Sequence, residues 1–266
     1  MEISLTLSLS ALAALIPASV LPYRREPERD ALFWILLAAA AAGPAVLVLR
    51  IFGSGWHTGL APALWVTVTA SLVLFALFSA VLRAAWRLAP LLLPYLFVIG
   101  AIATFWLHQP ERPLSETAPT AWLTLHIVLS VLTYALLTIG AIAGLAVTLQ
   151  ERSLKLKRPT RLTHLLPSFA DGEFLQVRLL FAGEIVLGCD LLSGMAAQYF
   201  ETGNVLALNH KVAFSLLTFA VILVLLVIHA RTGMRGRRVG RYVLVAYLLI
   251  TLAYPGVKFV TDVLLT

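Results

Sequence analysis

The sequence predicts an all-α polytopic membrane protein, a bundle of eight transmembrane helices with both termini outside. Three observations lead to this prediction. Hydrophobic residues make up 60% of the 266 residues and charged residues only 12%, against about 45–50% and about 25% in ordinary soluble domains. The apolar residues gather in eight runs, most of them about 20 residues long, the length of helix that crosses a bilayer core. Basic residues alternate between rich and poor connections along the chain.

The eight runs occupy the following positions in chain order: 3–22, 31–50, 61–82, 86–107, 120–149, 174–198, 207–230 and 239–262. We expect each run to be helical, because a chain in lipid must satisfy its backbone hydrogen bonds internally. The fifth run is longer than the membrane is thick, so its helix should tilt or project. Prolines inside four runs should kink their helices, namely those at 17, 44, 94 and 255.

These runs leave no room for a soluble domain. We therefore predict one transmembrane domain, 1–266, with a four-helix scaffold part at 1–119 and a second part at 120–266. The N-terminal run has no positively charged segment before it, which favours a retained first helix over a cleaved signal peptide.

The distribution of basic residues predicts the orientation. The connections after the first, third, fifth and seventh runs hold fifteen of the 20 Lys and Arg residues, and the alternate connections hold three. Basic connections stay on the cytoplasmic side, so both termini should lie outside a bacterial cytoplasmic membrane. Because these charges sit in short connections rather than on a folded basic face, we expect anionic lipid headgroups and no nucleic acid as their partner.

The connection 150–173 is the longest one inside the predicted topology. Its apolar side chains suggest a short amphipathic helix on the inner surface, formed by Leu162, Leu165, Leu166 and Phe169. A plain basic linker is the alternative reading.

The chain lacks the motifs of common enzymes. It has no Walker loop, no GxSxG elbow, no HExxH and no Gly-rich dinucleotide fingerprint. Its single cysteine, Cys189, allows neither a disulfide framework nor a CxxC redox pair. We therefore predict that the protein is not an enzyme.

Polar residues inside spans are costly and mark candidate sites, and the fifth span has the clearest pattern. His126, Ser130, Tyr134 and Thr138 follow each other at intervals of four residues, which places them on one helix face. This stripe is either a hydrogen-bonded seam between helices, with Ser and Thr bonding their own backbone, or the wall of a cavity in which His126 ligates a metal or haem.

The sixth and eighth spans contain further intramembrane polar residues. Tyr254, Lys258 and Asp262 repeat the four-residue spacing, and Lys258 either pairs with Asp262 or reaches another helix. Asp190 in the sixth span should lie at the same depth as Lys258, so we prefer that pair across the helices. Glu184 lies nearer to mid-membrane and needs a partner unless it is protonated.

Histidines also occur at the ends of the seventh span. His126 and His210 both belong to the outer ends of their spans, so two imidazoles on opposite sides of one iron would give bis-histidine haem ligation. Lys211 and Lys258 would then neutralise the haem propionates. His229 ends the seventh span on the inner side.

Three segments resemble the cytochrome c assembly family, which includes CcsA, CcmC and HemX. They are WLTLHIVLSVLTYA at 122–135, VIHARTGMRGRR at 227–238 and LAYPGVK at 252–258. In size, span number and basic inner loops, the chain is most similar to the YpjD branch. The resemblance covers residues 120–262, and the first four spans match only in hydropathy and layout.

The resemblance implies a haem-handling membrane protein without catalytic turnover of its own. It implies that His126 matches the family's outer-face haem-ligating histidine, that Lys211 matches the lysine of its Asp-Pro-Lys turn and that His229 ends the same span. The family's tryptophan-rich loop is absent from residues 198–208. Cytochrome c maturation proteins are the implied partners.

Two other functions stay open. HemX-like members are associated with control of haem synthesis, so the chain would instead be a regulator or scaffold that binds a cytoplasmic partner through its basic loops. The third function is an ion transporter or an accessory subunit of one, which would use the intramembrane charges Glu184, Asp190 and Lys258.

Overall fold

The protein is an all-α, multi-pass membrane protein. The computed structural model describes residues 2–25, 28–53, 57–107, 112–113, 121–203, 210–233 and 236–260. Within these ranges eight helices are long and apolar enough to cross a membrane. In chain order the helices are α1 (Glu2–Arg24), α2 (Ala31–Gly53), α3 (Leu60–Val81), α4 (Ala89–Phe105), α5 (Ala121–Leu156), the short non-spanning α6 (Arg161–Leu165), α7 (Phe169–Thr202), α8 (His210–Thr232) and α9 (Arg237–Thr251).

Short elements complete the spans. A 3₁₀ turn (Ala85–Leu88) leads into α4, and a π-helical turn (Leu252–Gly256) joins α9 to α10 (Val257–Phe259). Two-residue strands β1 (His57–Thr58) and β2 (Arg112–Pro113) pair in antiparallel fashion between α2 and α5. The eight predicted spans are therefore confirmed, with boundaries that differ by a few residues.

Helix α5 organises the packing. It has 36 residues and is about 54 Å long at 1.5 Å per residue, so it projects beyond about 30 Å of hydrocarbon, one of the two outcomes that its length predicts. It is buried almost continuously from Thr133 to Val147. One face joins the core of α1–α4, and another joins a second core formed with α7, α8 and α9. Helix α8 is the most exposed of the spans.

Small residues allow the C-terminal helices to approach closely, as is common in membrane bundles. A Cβ atom on Gly240 of α9 would lie 2.6 Å from Thr148 Oγ1 and 3.1 Å from the Gly144 carbonyl oxygen of α5. Only glycine fits there, so this contact fixes the distance between α5 and α9.

The connections between the spans are tied to the bundle at the end that carries most of the basic residues, called the basic end below. Arg29 donates to the Ala80 carbonyl oxygen at 3.0 Å, and Arg161 donates to the Tyr23 carbonyl oxygen at 2.6 Å. Asp30 caps α2 there: its Oδ1 accepts a hydrogen bond from the Phe33 amide at 3.0 Å. This bond, together with the nearby Arg25 guanidinium, lowers the pKa of Asp30 below its usual value.

The helix that we predicted in the connection 150–173 exists, but it is short and packs differently. Residues 150–156 extend α5, and α6 has only five residues, with a capping box between Thr160 and Thr163. Leu165 and Leu166 are buried in the protein. The apolar face of this segment therefore packs on the bundle and does not lie on the membrane surface.

Candidate functional site

A cavity of about 200 Å³ lies between α5, α7, α8 and the turn after α9, at the end of the bundle opposite the basic end. His126 is the sixth residue of α5 and Lys211 is the second residue of α8, which places both near that end. The polar residues of the wall include His126, Ser130, Tyr134, Asp190, Lys211 and Tyr254. The first three follow the four-residue spacing seen in the sequence, so the part of the stripe from His126 to Tyr134 faces a cavity.

His126 is held by Asp190 of α7. The His126 Nδ1 atom lies 2.8 Å from Asp190 Oδ1 and 3.1 Å from the Asp190 carbonyl oxygen. Both neighbours are acceptors, so the proton of a neutral imidazole belongs on Nδ1 and the lone pair on Nε2. Within the described residues Nε2 has no hydrogen-bond partner.

Two further hydroxyls fix Asp190 in place. Ser130 Oγ donates to Asp190 Oδ1 at 2.6 Å, and Ser193 Oγ donates to the Asp190 carbonyl oxygen at 2.9 Å. The Asp190 side chain is only 9% exposed. A buried carboxylate needs such donors, so Asp190 is set up to orient the imidazole.

Gly194 forms the surface of α7 on which the imidazole ring lies. A Cβ atom at this position would lie 2.9 Å from His126 Cε1, 3.2 Å from Nδ1 and 3.4 Å from Nε2. These distances are shorter than the normal contact between carbon atoms, about 3.5–4.0 Å. The ring can occupy its place beside Asp190 only because residue 194 has no side chain.

A cluster of tyrosines lies on the side of the cavity nearer to the basic end. The Tyr134 and Tyr247 hydroxyls are 3.3 Å apart, and the Tyr247 hydroxyl is 2.5 Å from that of Tyr95 on α4. Thr138 Oγ1 donates to the Tyr134 carbonyl oxygen at 2.7 Å and lies within hydrogen-bond distance, 3.1 Å, of the Tyr247 hydroxyl. The part of the stripe formed by Tyr134 and Thr138 is thus a hydrogen-bonded seam between helices, the other possibility that we gave for the stripe. This seam joins α4, α5 and α9.

The π-helical turn brings Tyr254 to the cavity wall. It contains Pro255, whose missing N–H and ring are incompatible with a regular α-helical turn. Ala253 and Tyr254 line the cavity, and the Tyr254 ring centroid lies 5.8 Å from that of Tyr134. The deviation that we predicted at Pro255 is therefore part of the site, as is frequent for π-bulges.

Comparison with known proteins assigns the chain to a family. The family model described as cytochrome C assembly protein matches residues 55–265. The chain belongs to the cytochrome c assembly protein family. The match begins just before the third span, earlier than the segments from residue 120 onward that carry the resemblance in the sequence.

Two relatives illustrate the range of similarity. A protein of Azospirillum brasilense, described as an uncharacterized 28.8 kDa protein in the nifR3-like 5′ region, is 53% identical over 270 residues and covers 100% of both chains. The inner membrane protein YpjD of Escherichia coli K12 is 27% identical over 181 residues, covering 67% of this chain and 66% of its own. No solved structure matches the chain.

The structure brings together only some of the residues predicted for a haem site of this family. His126 and Lys211 line one cavity, whereas His210 is exposed and is not among its lining residues. The expected approach of His210 to His126 is therefore not seen. His229 follows His210 by 19 residues on α8, about 28 Å along the helix axis, so it belongs to the basic end.

The structure describes the other predicted pairs only in part. Asp190, which we expected to pair with Lys258, is paired with His126. The Lys258 side chain lies outside the described residues, as does Asp262, so their predicted contacts are not described. Glu184 is 7% exposed, and neither carboxyl oxygen has a hydrogen-bond partner among the described residues.

Several residues of the site escaped prediction because they carry no polar signal or belong to distant helices. Gly194 and Met195 line the cavity. Within an apolar run, however, a glycine or methionine is expected only to pack against other helices. Tyr95 and Tyr247 are 152 positions apart, so no local pattern joins them. The only signal for them in the sequence is a tyrosine within each of two largely apolar spans.

The donor set of the cavity fits a haem better than a bare metal ion. Within the described part of the chain, no group of three or more His, Cys, Asp or Glu side chains could hold a metal ion. Haem iron needs only axial ligands from the protein, and His126 offers Nε2. The cavity is smaller than the roughly 300–1,000 Å³ of pockets that enclose a drug-sized ligand, so it would enclose a haem only in part.

Proposed function

We propose that the protein is a haem-binding component of cytochrome c assembly that uses His126 as an axial iron ligand and has no catalytic turnover of its own. The pair of His126 Nδ1 and Asp190 Oδ1 at 2.8 Å in a cavity wall is the observation that carries the proposal. Histidines that ligate metals almost always give their second ring N–H to a carboxylate or carbonyl, which orients the ring and raises the basicity of the ligating nitrogen. His126 donates to both kinds of acceptor on one residue.

The charge distribution supports a location for this site. Fifteen basic residues in alternate connections favour a cytoplasmic position for the basic end. The cavity would then face the outer side of a bacterial cytoplasmic membrane. Lys211, exposed at the cavity, would neutralise a haem propionate, and proteins of cytochrome c maturation on that side are the partners that we propose.

The optical spectrum of the protein, purified in detergent and titrated with haem, tests this function. We expect a Soret band that shifts on binding in the wild-type protein and is lost or strongly weakened in His126→Ala. His164→Ala is the matched control, because His164 is exposed on α6 at the basic end. Wild-type protein that binds no haem, or His126→Ala that binds it normally, would refute the proposal.

An exposed basic ridge favours a second candidate function, that of a scaffold for a cytoplasmic partner. Residues 152–161 include five basic side chains, all of them exposed: Arg152, Lys155, Lys157, Arg158 and Arg161. An acidic soluble protein would complement this ridge. Co-purification of such a partner, lost in a Lys157→Glu/Arg158→Glu variant but retained in His126→Ala, would support the scaffold function in addition to haem binding.

A further inference from the structure

A groove of about 330 Å³ runs along the outside of the bundle between α8 and α9. Its wall consists of apolar side chains of α8 and one tyrosine of α9, namely Ala220, Val221, Val224, Leu225, Ile228 and Tyr242. Val224 is 56% exposed and Tyr242 is 52% exposed, so the groove opens away from the bundle. It shares no lining residue with the cavity that contains His126 and is therefore a separate feature.

The groove has the length of one lipid chain rather than that of a transmembrane helix. Ala220 is the eleventh and Ile228 the nineteenth of the 23 residues of α8, so the groove occupies the half of α8 nearer to the basic end. These eight residues rise about 12 Å along the helix axis. One leaflet contributes about 15 Å of the roughly 30 Å hydrocarbon core. A partner helix would need a contact surface through both leaflets, whereas an acyl chain of one leaflet needs only this half.

Two arginines stand at the end of the groove that lies nearest to the basic end. Arg231 follows Ile228 by three residues and Val224 by seven, which places it on the same face of α8. Arg241 directly precedes Tyr242 on α9. Both arginine side chains are exposed, and neither forms an ion pair within the described part of the chain. Their charges are thus available to a ligand.

The surrounding sequence keeps this end of the groove positive. Residues 202–261 contain no Asp or Glu, and residues 231–241 contain five arginines. The acids that approach this connection do so at Gly236 from the bundle side, where Glu173 Oε1 accepts a hydrogen bond from the Gly236 amide at 3.1 Å. Guanidinium groups bind phosphate oxygens through paired hydrogen bonds, and basic pockets between membrane helices bind anionic lipid headgroups.

From this arrangement we propose that the groove binds one anionic phospholipid of the leaflet at the basic end. One acyl chain lies along α8 from Ala220 to Ile228, and the phosphodiester is held by Arg231 and Arg241. The Tyr242 ring then lies at the membrane interface, where tyrosine is enriched. The bound lipid covers part of α8, the most exposed of the spans, and ties it to α9. This inference does not rest on the proposed function.

Native mass spectrometry of the protein purified in detergent tests the headgroup. Each arginine near an anionic lipid is worth about fivefold in affinity. We therefore expect phosphatidylglycerol to bind about 30-fold more tightly than zwitterionic phosphatidylcholine, and Arg231→Ala/Arg241→Ala to bind the two lipids equally. Arg152→Ala/Arg158→Ala is the matched control, because it removes two exposed arginines from α5 and the residues after it. It should keep the preference for phosphatidylglycerol.

A substitution that fills the groove tests the acyl chain. Val224→Phe should weaken binding of both lipids. Val227→Phe is the matched control, because Val227 is also exposed on α8 but does not line the groove. Phosphatidylglycerol should raise the Tm of the wild-type protein and of Val227→Phe, but not that of Val224→Phe.

Three results would overturn the inference. Equal binding of both lipids to the wild-type protein would show that the arginines do not select a headgroup. A preference for phosphatidylglycerol that survives in Arg231→Ala/Arg241→Ala would place the lipid elsewhere. A wild-type dimer that Val224→Phe dissociates in the absence of added lipid would assign the groove to a second copy of the chain.

Discussion

Replacing Gly194 by alanine should damage the candidate site without weakening the fold. The added Cβ atom would lie 2.9 Å from His126 Cε1, whereas carbon atoms normally approach to about 3.5–4.0 Å. The imidazole must therefore move away from α7 by about 0.6 Å or more. Asp190 belongs to the same helix, so both of its contacts with Nδ1, at 2.8 and 3.1 Å, lengthen toward or beyond the hydrogen-bond limit.

The expected magnitude follows from the role of Asp190. Loss of the group that orients a metal-ligating histidine typically weakens binding 10–100-fold, which corresponds to about 1.4–2.7 kcal/mol. The same substitution removes a glycine from the interior of a helix, which favours folding by up to about 1 kcal/mol. We therefore expect weaker haem binding and a thermal stability close to that of the wild-type protein, because the gain in helix propensity opposes the loss of the contacts between His126 and Asp190.

The assay combines a haem titration, followed at the Soret band, with thermal unfolding followed by circular dichroism. Gly188→Ala is the matched control, because it lies on the same helix and its Cβ atom would meet only Phe219 at 3.4 Å. It should gain the same helix propensity and bind haem as the wild-type protein does. Equal haem affinity and equal spectra in both alanine variants would refute the placement of the imidazole on Gly194.

Three further predictions concern the stability of the bundle, measured by unfolding in detergent. Glu184→Met should raise the free energy of unfolding by about 1–3 kcal/mol, because it removes a buried carboxyl that has no partner among the described residues. A loss of stability would mean that Glu184 has a partner or a bound ion. Tyr247→Phe should lower the free energy of unfolding by about 1–2 kcal/mol. The Tyr247 hydroxyl takes part in three hydrogen bonds, each worth about 0.6 kcal/mol in membrane proteins. Wild-type stability in this variant would contradict the prediction. Gly240→Ala should lower the free energy of unfolding by about 1–3 kcal/mol through overpacking. Adding Thr148→Ala should restore part of the loss, because it removes the side chain that the new Cβ atom would meet at 2.6 Å. Failure of this rescue would show that the clash with Thr148 is not the cause.

The spans were predictable because the requirement that creates them is local. Any segment that crosses lipid must be apolar and helical along its whole length, so each of the eight runs carries its own signal. The cavity-facing stripe on α5 was predictable for a similar reason, since His126, Ser130 and Tyr134 follow the period of one helix. What the stripe faces was not predictable from α5 alone.

The partners of the polar residues depended on how the helices are rotated and which ones are neighbours. The sequence places Asp190 and Lys258 at similar depths in the membrane. Depth alone does not say which way a side chain points around its helix. The structure turns Asp190 toward His126 of α5. Likewise, the seam between Tyr95 and Tyr247 joins residues 152 positions apart, and no periodic pattern in one segment can reveal such a contact.

The sequence by itself determined that this protein has eight segments long and apolar enough to cross a membrane, where its basic residues collect and that His126 heads a polar stripe. These properties follow from composition and from the helical period. Only the tertiary structure decided that Asp190 holds His126, that Gly194 leaves space for its ring and that Met195 shares its cavity. Glycine and methionine give no distinct signal in a hydropathy pattern. Their contribution to a site becomes visible only when packing places another helix against them.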